Sequence, residues 1–328
     1  MKKLLVCLLA LVVVMGFLAC GGGGGAGSGT RARAGDGSIT IGFAQCKTDE
    51  SDWRKANTIS MLSTFAVPGY RLLLADSMND AAKQVADVQN FIDQDVDYIV
   101  IAAVNMDGWD NVLQNAKNAG IPVILVDRNI SAAQDLWTCY VGPDFKVEGE
   151  KATSWMEKHF AGKAVNIVHL QGQLGAGAQV GRTAALEDGI SKNGWTLLAQ
   201  QTGNWDTVEA KNVMTTWIRQ YPNVNCVYAE NDNMALGAIQ ALQEAGIRVG
   251  GDNGVAVISF DANRWALDMT LQGLINCNVE CNPLHGPKVF EIVQMLHAGS
   301  QPQKIMLVPE EAFFYDTITQ AIIDARQY

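Results

Sequence analysis

Basic residues are in short supply in this chain: 24 Lys and Arg stand against 34 Asp and Glu over 328 residues, a formal net charge of −10. A surface of that sign argues against nucleic acid as a partner, because phosphate backbones are held by Lys/Arg patches. Histidine is scarcer still. His159, His169, His285 and His297 are scattered and form no metal pattern, and no Cys pair has zinc-ligand spacing with a His. No Ser or Cys sits in a Gly-x-Ser-x-Gly elbow, so that route to nucleophilic catalysis has no sequence support. The apolar run from Leu4 to Met15 is too short to read as a membrane span.

What is present is enough for real cores. Hydrophobic residues make up 48% of the chain and charged residues 18%, and the length suits two domains of ordinary size. The beginning carries an address. Met1-Lys2-Lys3, the apolar run and Gly16-Phe17-Leu18-Ala19-Cys20 read as an export signal over 1–19. Its ending resembles a bacterial lipoprotein cleavage site with Cys20 as the acylated residue; plain secretion is the competing reading. Residues 20–37 then read as a Gly-rich tether. Without Lys2 and Lys3 the charge is nearer −12, from 22 basic and 34 acidic residues.

Beyond Cys7 and Cys20 five cysteines remain, and an odd number cannot all pair within one chain. Cys277 and Cys281, four apart in an expected strand, are separated by roughly 13 Å and cannot bridge each other. Small buried apolar groups are the better reading of these residues.

From Ile39 onward strand and helix signals alternate with short connections, which predicts a parallel, doubly wound sheet. The rhythm pauses near Trp137–Pro143 and then restarts with the same pattern. The reading is α/β, two similar doubly wound parallel-sheet lobes. One takes 38–142 plus about 282–308, the other 143–281 plus about 309–328. One helix (286–296) and two short strands follow Val279 and return to complete the two lobes.

Two apolar runs end abruptly in charge: Val123-Ile124-Leu125-Val126 in Asp127-Arg128, and Ile258-Ser259-Phe260 in Asp261. Buried parallel strands read this way, and their carboxyl ends are where open α/β sheets place ligands. Asp offers fixed acceptors and Arg a planar fork of donors, which suits a small polyhydroxylated ligand. An acid–base pair of Asp127 and Asp261 would need tuned pKa values, and Arg128 beside Asp127 favours an ionised, hydrogen-bonding carboxylate instead. Trp53 and Trp205 could stack on a sugar ring or simply pack in a core; Trp109, Trp155 and Trp217 read as core. Gly172, Gly175, Gly177 and Gly181 suggest a phosphate cradle, but the spacing misses the dinucleotide fingerprint by one residue. Ala178 also stands where a P-loop needs Lys, so a tight turn at a helix start fits better.

Glu50-Ser51-Asp52-Trp53-Arg54, Asp127-Arg128, Arg182, Trp205, Glu230-Asn231-Asp232 and Ser259-Phe260-Asp261 occur in an order that resembles the type I sugar-binding proteins of bacterial ABC importers. The likeness is to the ribose/galactose class, nearest its galactofuranose-binding branch, and covers 38–328. It implies two lobes joined by a multi-strand hinge and closing on a monosaccharide (galactofuranose, galactose-like or pentose). It further implies delivery to a membrane permease, no catalysis and no cofactor. It places Asp127 and Arg128 on the sugar from the first lobe, and Arg182, Asn231 and Asp261 from the second. Trp53 and Trp205 would sandwich the ring, and Arg54 would add a donor. Where the class often has Gln two residues before a crossover proline, this chain has Cys281, with Glu280 beside it as a candidate contact. The export signal places the protein outside the cytoplasm, in the periplasm or at the cell surface, and with no oligomerisation signal in the sequence a monomer is expected. A sensing lobe for a chemotaxis or signalling receptor, or a secreted carbohydrate-active enzyme, are the competing readings.

Overall fold

The computed structural model describes residues 37–328; the expected export signal, Cys20 and most of the tether lie outside them. Within 38–328 the elements alternate as the sequence predicts, and they build two six-stranded sheets. The first sheet holds β1 (Ile39–Gln45), β2 (Tyr70–Asp76), β3 (Tyr98–Ile101), β4 (Val123–Val126), β5 (Cys139–Gly142) and β11 (Ile305–Leu307). Their order across it is β11-β5-β4-β3-β1-β2, all parallel. The second holds β6 (Asn166–Gln171), β7 (Thr196–Thr202), β8 (Cys226–Ala229), β9 (Ala256–Asp261), β10 (Cys277–Glu280) and β12 (Ala312–Phe314). It repeats the order, β12-β10-β9-β8-β6-β7, with only β12 antiparallel. This is the doubly wound 2-1-3-4-5 arrangement used twice, which puts a ligand crevice beyond the carboxyl ends of both sheets.

Helices cover both faces of each sheet. In the first lobe α1 (Asp52–Phe65) and α9 (Gly286–His297) bury Met61, Phe65, Val289, Ile292 and Val293 on one face. On the other, α2 (Ala81–Asp93) and α3 (Asp110–Asn118) bury Val88, Phe91, Val112 and Leu113. In the second lobe α6 (Thr207–Gln220), α7 (Asp232–Glu244) and α8 (Arg264–Leu271) cover one face, and α4 (Phe145–His159) and α5 (Gly177–Asn193) the other. The central strands β3, β4, β8 and β9 are buried along their whole length, as two-sided coverage requires. The chain crosses between the sheets three times, at 143–144, 281–285 and 308–311.

The structure corrects the sequence reading in three places. The expected pause near Trp137–Pro143 contains β5, a buried strand pairing β4 with β11. Four residues hemmed by a Gly-Pro pair are too few for a periodic signal. A 3₁₀ turn at Gln134–Leu136 and α10 (Gln320–Ala325) were not expected; each is too short to show a helical period. All five described cysteines are buried and unpaired, as their reading as small apolar groups requires. Trp109, Trp155 and Trp217 are core residues.

Candidate ligand-binding site

Between the lobes lies a small, tightly lined cavity, with about 300 Å³ of atom-free space when the part open to solvent is counted. All eight residues singled out from the sequence line it. Their positions follow from helix starts and strand ends. Ser51 caps α1 by accepting the Arg54 N–H at 3.1 Å, which fixes Trp53 and Arg54 in the first turn. Asp127 and Arg128 leave the end of β4, and Asp261 ends β9. Asn231 caps α7, accepting the Met234 N–H at 2.9 Å, while its amide donates to the Trp205 carbonyl at 3.2 Å. Arg182 projects from α5. Asp127, Trp205 and Asp261 all take positive φ, at 62°, 65° and 103°. Non-glycine residues seldom adopt that conformation, and it concentrates at ligand-holding positions.

Charge inside the cavity is paired across short distances. Arg54 Nη2 donates to Asp127 Oδ2 at 2.5 Å, and Arg128 Nη2 to Glu50 Oε2 at 2.7 Å. Arg182 Nε donates to Glu148 Oε2 at 2.7 Å and Nη1 to the Glu230 carbonyl, leaving Nη2 3.8 Å from Asp261 Oδ1. Guanidinium carbons lie over both cavity indoles: Arg54 4.6 Å from the Trp53 ring centre, Arg128 5.6 Å from that of Trp205. Trp53 Nε1 donates to the Cys281 carbonyl at 2.6 Å, tying α1 to a crossover. Asp52 and Asn233 close the lobes on each other by two hydrogen bonds of 3.3 and 3.4 Å.

These pairs leave several polar atoms buried without a hydrogen-bond partner: Glu50 Oε1, Arg54 Nε, Arg128 Nε and Trp205 Nε1. Each such atom costs about 1–3 kcal/mol unless something answers it. Acceptor and donors together match a ligand with several hydroxyls.

The two cavity aspartates have opposite character. Burial would raise the Asp127 carboxyl, but the Arg54 and Arg128 guanidiniums outweigh it and hold the group below its ordinary value. The expected ionised state therefore rests more on Arg54 than on its neighbour Arg128, whose Nε is 3.8 Å away. Burial pushes Asp261 well above the carboxylate range; Arg182 opposes it, while Asp232, Glu148 and Asp127 add to it.

Some expectations change. Glu280 does not line the cavity. It accepts from Arg326 Nη1 at 2.6 Å, Tyr328 Oη at 3.1 Å and the Glu311 N–H at 3.0 Å, so it anchors the last residues of the chain. Cys281 lines the cavity in its stead. The glycines after β6 are no phosphate cradle: the Gly172 N–H is taken by Glu230 Oε2 at 2.7 Å and that of Gly175 by Gln179 Oε1 at 3.0 Å. Glu50 is a cavity residue that the sequence reading does not single out; its spacing of four from Arg54, ahead of a capped helix, is the available signal. Glu148, Cys281 and Glu310 also converge, with one potential ligand atom from each within 4.8 Å of the others. They come from distant segments and left no pattern to read.

Residues 41–285 match the family model described as "Periplasmic binding protein domain". The chain belongs to that family. It is 33% identical over 291 residues to the galactofuranose-binding protein YtfQ of Escherichia coli, covering 87% of this chain and 90% of that one. A Mycobacterium smegmatis protein solved with β-D-fucofuranose superposes with a TM-score of 0.82 at 37% identity, covering 88% and 93% of the two chains. The binding protein of a Shewanella arabinose ABC transporter, bound to α- and β-L-arabinofuranose, gives a TM-score of 0.82 at 32% identity, over 88% and 95%. Periplasmic binding proteins hold solutes without transforming them, and this chain is a binding protein, not an enzyme. Asp127 and Asp261 are split as an acid–base pair would be, so family membership is what decides against catalysis here. Among the described residues no helix is long and apolar enough to cross a membrane.

Proposed function

We propose that this periplasmic binding protein captures a monosaccharide between its lobes and delivers it to the permease of an ABC importer. The sugar is a furanose of galactofuranose or pentose type, or a galactose-like relative. The carrying observation is one buried cavity in which charged pairs and two indoles surround polar atoms that lack partners. Charged groups make the stronger hydrogen bonds to hydroxyls, and indole faces suit the C–H faces of a sugar ring. The furanoses bound by the relatives named above agree with that chemistry.

In this reading Trp53, Arg54, Asp127, Arg128, Arg182, Trp205, Asn231 and Asp261 contact the ligand. The lobes, 38–142 with about 282–308 and 143–281 with about 309–328, turn on the three crossovers as the sugar enters. The protein works as a monomer, held to a membrane by a lipid on Cys20.

A thermal scan against furanose and pyranose monosaccharides tests this, since a ligand bound only by the folded state raises the melting temperature. A shift with galactofuranose, L-arabinose or D-galactose supports the reading. Indifference to every sugar rejects it.

A further inference from the structure

Glu310 lies on the third crossover, outside the cavity lining. Its Oε1 accepts the Asn282 N–H at 2.8 Å, which ties two crossovers together. Its carboxyl also lies beside the Glu148 carboxyl and the Cys281 thiol, with one oxygen or sulfur atom of each within 4.8 Å of the others. Glu148 Oε2 is taken by Arg182 at 2.7 Å, whereas Glu148 Oε1 is buried with no hydrogen-bond partner. Two buried carboxyls this close resist being ionised together; one proton between them relieves the repulsion and can answer the orphaned oxygen.

We propose that Glu310 is a positioning residue for ligand binding: its protonated carboxyl donates to Glu148, which thereby holds Arg182 in the cavity. The hinge and the ligand-gripping guanidinium are then one hydrogen-bonded unit. The inference rests on the reading that Arg182 contacts the sugar.

The charges around the pair are consistent with a proton on Glu310. Burial, reinforced by the negative Glu148, pushes its carboxyl up to about 10. Arg182 on α5 opposes that rise, and Lys151 on α4 is spent on the Glu310 carbonyl at 2.7 Å rather than on the side chain. Cys281 is neutral, its thiol raised by burial and by both glutamates. Tyr140 on β5 is likewise raised by burial, and Asp261 lies 3.8 Å from Arg182 Nη2.

The full-length protein, labelled with ¹⁵N-arginine, reports the unit directly. The Arg182 Nε–H resonance of the sugar-free protein should move between pH 8 and pH 11 in the wild type, with its midpoint near 10, and stay fixed in Glu310→Gln, whose amide donates at every pH. In parallel, affinity for L-arabinose and D-galactose should fall about fivefold over that range in the wild type, approaching the tenfold limit of one unit of coupling, and hold level in the variant. Should the glutamine variant not fold, Glu310→Asp should displace the midpoint of the Arg182 signal. An Arg182 resonance indifferent to Glu310, or identical affinity profiles with and without it, overturns the proposal. An Arg182 signal that follows Glu310 while no sugar binds overturns the ligand reading alone.

Discussion

Arg54 in the first turn of α1 and Asp127 beyond β4 meet at 2.5 Å, with both side chains almost wholly withdrawn from solvent. Each is the other's shortest ion pair, with Glu50 3.6 Å from Arg54 and Arg128 3.8 Å from Asp127, and a poorly paired buried ion costs several kcal/mol. Asp127→Ala therefore strips Arg54 of its shortest ion pair and the ligand of an acceptor. Sugar affinity should drop by about 2–5 kcal/mol, read by calorimetric titration with whichever sugar shifts the melting temperature most. Unchanged affinity would remove Asp127 from the contact set.

Gly172 gives a second test, because its place is set by an indole. A Cβ built there would lie 1.9–2.2 Å from three ring carbons of Trp205. Gly172→Ala must push the ring from its seat, under Arg128 and against the cavity. Overpacking of this kind costs typically about 1–3 kcal/mol, so urea unfolding should show a loss of that size together with weaker sugar binding. If both are wild-type, the indole is not fixed by this contact.

Much of this was legible in the sequence, for a physical reason. Strands such as β4 and β9 are covered on both sides, so they read as unbroken apolar runs, and the first charged residue after each marks the sheet edge where ligands bind. That is why Asp127, Arg128 and Asp261 could be picked out. The reading slipped where one residue of register decides the direction of a side chain. Cys281 faces the cavity while Glu280, one step back on β10, turns to Arg326. It failed altogether where contacts join remote segments, as with Glu148, Cys281 and Glu310. No spacing along a chain announces which crossover will lie on which helix.

The proposed anchor rests on the sequence alone and is open to a simple test. If a lipid on Cys20 holds the protein at a membrane, Cys20→Ala should move it to the soluble fraction after cell breakage, with sugar binding intact. Continued sedimentation with membranes would mean that another feature holds it.

His285, at the crossover behind Trp53, makes acid stability predictable. Burial drives its pKa from 6.5 down to about 4, with Arg54 acting the same way and Asp127 opposing. Its Nδ1 lies 3.1 Å from the Asn57 amide, which donates to the neutral ring. Between pH 6.5 and about 4 the unfolded chain thus binds a proton that the folded protein refuses. The contribution of His285 to stability falls as the pH drops through that window, by at most about 1.4 kcal/mol per pH unit. Below about 4 both states are protonated and its contribution levels off. His285→Gln has nothing to titrate, so its unfolding free energy should run flatter than the wild type across the same window in denaturant titrations at a series of pH values. Parallel curves would show that His285 gains its proton as readily folded as unfolded.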